Sequence, residues 1–374
     1  MNSKISKRAL IAGGGTGGHF YPAFALALEL RKRGWQIVFL IRKNDMAAGT
    51  IEDNGFASVE TGAKPFPRTF NPLSYLNFAA GFLSSCLQIS VIIRDFRPDI
   101  VIGTGAYVSF PAVFTAKLHG IPSIIHESNA RFGLANYLSG FFTDRTALGL
   151  PVKKNPFREK SELTGTPVRE FFARLPGQAE ARKELGFNQD IFTILVFGGS
   201  QGSKKINLAA SRAIKKLKAM NRVFQAIHIT GKRDFEEIKR EYDTSDLAGD
   251  PGIKLLDYCA DMDKAYSASD LIISRSGSGT ITELTCVKKP SLLIPLPGSA
   301  GGHQAENAKL LVENGCAVLV EENTGFEEKL LSNIAGFIEN PHIINKLKDS
   351  FINISLPDPL KAAKNLSDIA EKLS

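Results

Sequence analysis

Twice in this chain, at 8–19 and at 191–204, an apolar run breaks into glycines and then into a helical pattern. A strand, a Gly-rich turn and a helix start, in that order, open a doubly wound parallel sheet, because glycine lets the chain reverse sharply where other residues are strained. Short β-rich runs at 8–13, 36–41, 99–103, 123–126, 191–198, 226–230, 254–258, 271–274 and 291–295 alternate with helical stretches. The runs VFLI, DIVIG, ILVFGG and LIIS hardly alternate, as expected of strands covered by helices on both faces. The pattern predicts an α/β protein with two Rossmann-like, doubly wound parallel-sheet domains facing across a cleft. A chain of 374 residues suits two such domains. We place an N-terminal domain at 1–164 and a C-terminal domain at 165–345, joined through the Pro-, Lys- and Thr-rich stretch 153–169. A terminal helical segment from about 346 to 374 is expected to pack back on the first domain.

Hydrophobic residues at 43% and charged residues at 22% describe a globular chain with a real core. An excess of 46 basic over 38 acidic residues, +8 in all, favours phosphates, nucleic acid or an acidic membrane surface without choosing among them. Cys86, Cys259, Cys286 and Cys316 are far apart and form no C-x-x-C pair, which argues against a disulfide framework or a zinc site. The histidines are scattered and no cluster of metal-ligating residues stands out, so no metal site is expected. The basic N-terminus runs at once into glycines and lacks the apolar length of a signal peptide, so the expectation is a cytoplasmic protein.

The turn Gly13-Gly14-Gly15-Thr16-Gly17-Gly18-His19 contains G-x-G-x-x-G, a weak match that a phosphate loop or a plain tight turn satisfies equally. No Gly-Lys-Ser/Thr follows, which excludes a P-loop. The second strand ends Ile41-Arg42-Lys43 with no acidic residue for a ribose, which argues against NAD, while Arg42 or Lys43 leaves NADP open. His19, at the helix start, is favoured neutral by the helix dipole and suits a general base; a ring hydrogen-bonded to its turn is the equal alternative. A second loop, Gly103-Thr104-Gly105-Ala106-Tyr107, should end at the same sheet edge. The run His126-Glu127-Ser128-Asn129 brings a carboxylate and an amide there, although Asn129 also suits a cap and His126 a core position.

In the second half, Gly198-Gly199-Ser200-Gln201-Gly202-Ser203 suits a phosphate. The run 274–283 reads as a strand end, a Gly/Ser turn and a helix whose N–H groups could hold a diphosphate while Glu283 takes two ribose hydroxyls. A capping box of Thr280 and Glu283 is the structural alternative. With no metal in view, helix N-termini, hydroxyls and Arg169 are the groups able to stabilise a leaving diphosphate.

Seven motifs in order carry a resemblance: GGGTGGH at 13–19, GTGAYVSFP at 103–111, HESN at 126–129, GTPVR at 165–169, GGSQGS at 198–203, SRSGSGTITE at 274–283 and HQAENA at 303–308. Over nearly its whole length the chain resembles the MurG family, the N-acetylglucosaminyltransferases of peptidoglycan synthesis. The resemblance implies the GT-B arrangement and inverting transfer of N-acetylglucosamine from UDP-N-acetylglucosamine to the C4 hydroxyl of muramic acid in lipid I, giving lipid II. It implies donor contacts at Thr16, Gly17, Gly18, Asn129, Arg169, Ser200, Ser278, Gly279, Thr280, Ile281, Thr282, Glu283 and Gln304, with the Cys259 backbone reading uracil near Met262. It makes His19 the base, with Glu127 the runner-up, and gives Gly14, Gly15, Gly103, Gly105 and Tyr107 to the acceptor and its diphosphate. No cofactor, no metal and no nucleic acid are implied. Ala106 and Phe110 depart from the family's second loop and could narrow it; Gly302 stands where the family has an acidic residue before the His/Gln pair.

The resemblance also puts the protein at the cytoplasmic face of the inner membrane. Projected on a helix, 76–94 shows two apolar stripes: Leu76, Ala80, Leu83, Leu87 and Val91 on one side, Phe78, Phe82, Ile89 and Ile93 on the other. One can face the core; the other, near Lys64, Arg68 and Arg94, can lie on anionic headgroups. Serines and Gln88 argue against a transmembrane span. A wholly buried helix is the alternative to peripheral attachment. An NADP oxidoreductase and a non-catalytic nucleotide-sugar sensor are the competing functions.

Overall fold

The computed structural model describes residues 6–374 apart from 16, 68–70, 200 and 246. The chain forms two compact units, one of 1–169 with 356–374 and one of 170–355. The first unit carries β1 (Arg8–Ala12), α1 (Gly17–Lys32), β2 (Gln36–Arg42), α2 (Ala47–Asp53), β3 (Ala57–Thr61), α3 (Pro72–Phe96), β4 (Ile100–Gly103), α4 (Ser109–Leu118), β5 (Ser123–Glu127), α5 (Leu134–Ser139), β6 (Arg145–Leu148) and β7 (Ser161–Leu163). Its sheet is parallel in the order β3-β2-β1-β4-β5-β6-β7.

The second unit carries α6 (Gln178–Glu184), β8 (Thr193–Phe197), α7 (Lys204–Ala219), β9 (Gln225–Ile229), α8 (Phe235–Asp243), β10 (Ile253–Leu256), α9 (Met262–Ala268), β11 (Leu271–Ser274), α10 (Ser278–Val287), β12 (Ser291–Leu293), α11 (His303–Glu313), β13 (Ala317–Leu319), α12 (Phe326–Glu339) and α13 (Pro341–Ser350). Its strands are parallel in the order β10-β9-β8-β11-β12-β13. Central strands such as β4, β5, β8 and β11 are buried at every position, the physical reason for their unalternated sequences.

β3, β6, β7 and β13 go beyond the strands expected from sequence. They are short or polar: β3 and β7 lie at a sheet edge with mostly exposed side chains, so neither an apolar run nor burial marks them. β7 also changes the reading of 153–169, which supplies the seventh strand of the first sheet instead of serving wholly as a linker. The units divide after Arg169, and the chain returns to the first at 356.

That return is α14 (Pro359–Leu373), capped by the side chain of Asp358, which accepts from Leu360 N. Its Leu366 and Ile369 enter the core under α1, where each buried side chain contributes about 1.5–3 kcal/mol. Arg33 of α1 pairs with Asp368 at 2.7 Å and Glu371 at 3.0 Å. The helical reading beyond Pro341 therefore holds in two pieces, interrupted around Pro357.

Candidate functional site

In each sheet the strand order reverses between two central strands, β1 and β4 in one, β8 and β11 in the other. Ligands of open parallel sheets bind outside the strand ends at such a point, and in both units the Gly-rich turns occupy it.

In the first unit, Gly13 leaves β1 so close to its neighbours that a Cβ would lie 2.7 Å from Ala23 Cβ. His19 sits in the first turn of α1, its Nδ1 2.8 Å from the Thr104 carbonyl oxygen. A carbonyl only accepts, so Nδ1 carries the proton and Nε2 the lone pair. Thr104 Oγ1 donates back to the His19 carbonyl at 2.9 Å. Gly105 has φ +95°, and a Cβ there would come within 3.0 Å of the imidazole. The ring is thus bonded to the second loop and not to its own turn, and that bond sets which nitrogen carries the proton.

The Gly14–Gly15 part of the turn behaves differently from expectation. Asp45, buried between β2 and α2, accepts the Gly15 N–H at 2.7 Å and the Ala47 N–H at 3.1 Å, and pairs with Arg42 at 3.2 Å. A Cβ on Gly14, whose φ is +146°, would lie 2.8 Å from its carboxylate. The anion at Gly15 is therefore built into the protein. This corrects the assignment of the Gly15 amide to an acceptor diphosphate, and of the two cations that left NADP open, Arg42 is paired with Asp45. An acidic residue does follow the second strand, three positions beyond Arg42, but it serves the turn.

Glu127, at the end of β5, is 1% exposed. Its Oε1 accepts from Asn129 N and Nδ2, both at 2.9 Å, and its Oε2 from Gly133 N at 2.9 Å and Asn136 Nδ2 at 3.0 Å. Four donors and almost no exposure make it the organiser of the 129–136 loop, not a base, which corrects its runner-up role. Asn136 of α5, unflagged by sequence, reaches from Glu127 to Gly105, where a Cβ would lie 3.0 Å from its Nδ2. His126 is fully buried with Nε2 3.0 Å from the Gly165 carbonyl; burial holds its pKa below the ordinary histidine value against the opposing pull of that carbonyl and Glu127. It is a core histidine. Arg169 lies over the Tyr21 ring at 5.4 Å, and Tyr21 in turn borders Gly17. Tyr107 is exposed just before α4. Phe110 turns away from the loop to stack on Phe82 at 4.9 Å, and Ala106 is buried in the core, so neither narrows the turn. Thr16 and Ser200 lie outside the described residues.

In the second unit the loop after β8 is held by close packing. A Cβ on Gly198 would lie 2.3 Å from Ser203 N and one on Gly202 2.0 Å from the Thr230 carbonyl, so only glycine fits. Arg275, buried after β11, donates to Ser203 Oγ at 2.7 Å and pairs with buried Glu322 at 2.5 Å, joining that loop to the ends of β11 and β13. α10 starts at Ser278 on Gly277, which provides no side-chain cap. Because the helix begins two residues before Thr280, the expected capping box is absent, and Glu283 instead accepts from Tyr266 Oη at 2.7 Å. Ile281 is in the core with its N–H on the Gly277 carbonyl, and the Thr282 hydroxyl donates to the Ser278 carbonyl, so neither side chain is turned to the loop. Gln304 accepts the Leu296 N–H through Oε1 at 2.9 Å, and its backbone carbonyl accepts from Ser276 Oγ, which brings α11 beside the same turn. Gly301 and Gly302, at φ +63° and +70°, make the bend before α11 in the left-handed region glycine favours. Cys259 is half-buried in the loop between β10 and α9.

Residues 9–148 match the glycosyltransferase family 28 N-terminal domain and 193–366 the glycosyltransferase family 28 C-terminal domain. The chain is 41% identical, over 98% of its length and 100% of the relative, to the "UDP-N-acetylglucosamine--N-acetylmuramyl-(pentapeptide) pyrophosphoryl-undecaprenol N-acetylglucosamine transferase" of Elusimicrobium minutum (strain Pei191). It is 36% identical to the protein of the same name from Halothermothrix orenii, over 94% of this chain and 95% of that one. The crystal structure of Acinetobacter baumannii MurG superposes with a TM-score of 0.75 at 25% identity, covering 98% of this chain and 99% of that one. With the paired Rossmann-like domains of the GT-B class and relatives matched end to end, the chain belongs to the MurG family of N-acetylglucosamine transferases.

Proposed function

We infer that this chain is an inverting glycosyltransferase that moves N-acetylglucosamine from UDP-N-acetylglucosamine to the C4 hydroxyl of N-acetylmuramic acid in lipid I, forming lipid II for peptidoglycan synthesis. The observation that carries the chemistry is His19, whose Nδ1 bond to the Thr104 carbonyl fixes the tautomer with the lone pair on Nε2. Nε2 takes the C4 hydroxyl proton as that oxygen forms its bond to the anomeric carbon, and the bond from that carbon to the UDP oxygen breaks on the opposite face, which inverts the centre. Charge developing on UDP needs donors already in place. The N-terminus of α10, without a side-chain cap and with the amides of Ser278, Gly279 and Thr280, supplies them, and Ser200 and Arg169 join by family resemblance. Glu283 takes the ribose, the Cys259 backbone the uracil, and Gln304, with its Oε1 held by Leu296, offers its NH2 to the sugar. Thr16, Gly17, Gly18 and Asn129 complete the donor set by the same resemblance. Gly103, Gly105 and Tyr107 serve the acceptor.

The test is a transfer assay with a lipid I analogue. Wild type transfers; His19→Ala loses about 10²–10⁴-fold in kcat, the usual contribution of a positioned base, while UDP affinity by calorimetry stays unchanged. Near-normal turnover of the variant removes His19 as the base.

We further propose peripheral attachment at the cytoplasmic face of the inner membrane. α3 is long and apolar enough by length and composition to cross a bilayer. Its Ile89 and Ile93 face the sheet core, whereas Leu76, Leu83, Leu87 and Val91 are exposed in a stripe. Phe78 and Phe82 join an aromatic cluster with Phe66 and Phe110, so they are not the outward face. Lys64 lies against Gly81 and Arg94 is exposed on α3, placing cations near the stripe; Arg68 is outside the described residues. Wild type should float with anionic liposomes and Leu83→Ser with Leu87→Ser should not; equal flotation of both ends the proposal.

A further inference from the structure

Buried phenols need a hydrogen-bond partner, and the one on α9 has chosen a residue of the nucleotide turn. Tyr266 is fully buried, its ring 5.9 Å from Phe197 at 87° and 5.7 Å from Phe172 at 50°. Phe197 is the last residue of β8, directly before the Gly198 loop, so the ring is clamped by the strand that delivers one ligand loop. Its Oη donates to Glu283 Oε2 at 2.7 Å, across to the helix that delivers the other. Glu283 is half-buried in the second turn of α10.

We propose that Tyr266 is a positioning residue for nucleotide recognition, holding the Glu283 carboxylate in the rotamer that receives the ribose diol. This rests on the reading that Glu283 accepts ribose hydroxyls. A carboxylate offers lone pairs for about four donors, so accepting from the phenol is compatible with accepting from a sugar. A side chain that must be ordered when ligand binds weakens binding; a carboxylate already held avoids that cost. Because the bond acts on the ribose partner alone, its loss should affect ligands with the full diol and spare those without it.

The experiment is calorimetry of UDP and 2′-deoxy-UDP with wild type, Tyr266→Phe, Glu283→Ala and Glu283→Asp, with melting temperatures alongside. Wild type should prefer UDP. Tyr266→Phe should bind UDP about tenfold more weakly, about 1.4 kcal/mol, with 2′-deoxy-UDP nearly unchanged and donor KM raised more than kcat is lowered. Glu283→Asp, which keeps the charge but shortens the reach, should also lose the preference, and that variant decides the matter should Tyr266→Phe fold poorly. If Glu283→Ala abolishes the preference while Tyr266→Phe and Glu283→Asp keep it, the positioning role is overturned and the ribose reading stands. If Glu283→Ala keeps the preference, the ribose reading falls and this inference with it.

Discussion

The turn after β1 and the turn before α10 look alike in sequence, glycines and hydroxyls between a strand and a helix, yet they treat negative charge in opposite ways. In the first, Asp45 already accepts the Gly15 amide, and the buried carboxylate is offset by Arg42. In the second, no side chain caps α10, and the carboxylate nearest in sequence, Glu283, is drawn off to Tyr266. A Gly-rich turn is therefore an anion site only if the protein has not filled it. Here the motif with the stronger dinucleotide look is the filled one, and the other leaves its helix start without a side-chain cap.

The comparison can be broken by giving the second turn what the first has. Gly277 has φ −61° and ψ 151°, and a Cβ there meets nothing within 4 Å, so Gly277→Asp should fold and place a carboxylate at the N-cap of α10. We expect the melting temperature to hold or rise and UDP affinity to fall on the order of 10- to 100-fold through like-charge repulsion. Unchanged UDP affinity by calorimetry means the diphosphate does not rest on α10.

The first turn is tested at the glycine that Asp45 crowds. Gly14→Ala combines a φ of +146° with a Cβ 2.8 Å from the carboxylate and should cost about 1–3 kcal/mol in denaturant unfolding. Gly279→Ala, with open space around its Cβ, should be close to neutral. Equal costs would mean that Asp45 does not shape the first turn.

Both sheets were legible because their central strands are buried on two faces and so advertise themselves as apolar runs. The edge strands β3 and β7 were not, since exposed side chains leave no such signal. Within the site, His19 and Gly105 could be placed because each follows a strand end in its own Gly-rich loop, although the bond between their loops could not be read. Asp45, Asn136 and Tyr266 could not. Each acts on a residue distant in the chain, Asp45 on Gly15 and Tyr266 on Glu283, and only the folded register of the strands brings such pairs together. Glu127 shows the converse: position at a strand end suggested a carboxylate on the rim, and the resemblance a second base, but the four donors around the side chain decided otherwise.

Each unit also buries a histidine near its sheet, and the smallest predicted effect is the response of both to acid. His228, bonded to Tyr242 Oη at 3.0 Å and lying 3.3 Å from Asn207 Oδ1, is pushed by burial down to about 3. His126 is also lowered, but the Gly165 carbonyl and Glu127 pull against burial. An unfolded histidine binds a proton near pH 6.5, whereas the buried rings resist it, so the unfolded state takes up more protons as pH falls and stability drops with it. The loss begins near pH 6.5 and continues down to the folded value, reaching about 1.4 kcal/mol for His228 at pH 5.5. Calorimetric scans at pH 7.5 and 5.5 should therefore show both units losing stability in acid. A first unit as stable at pH 5.5 as at pH 7.5 would mean that burial does not hold His126 neutral, and with it falls the packing of that ring against the Gly165 carbonyl beside the loop that Glu127 organises.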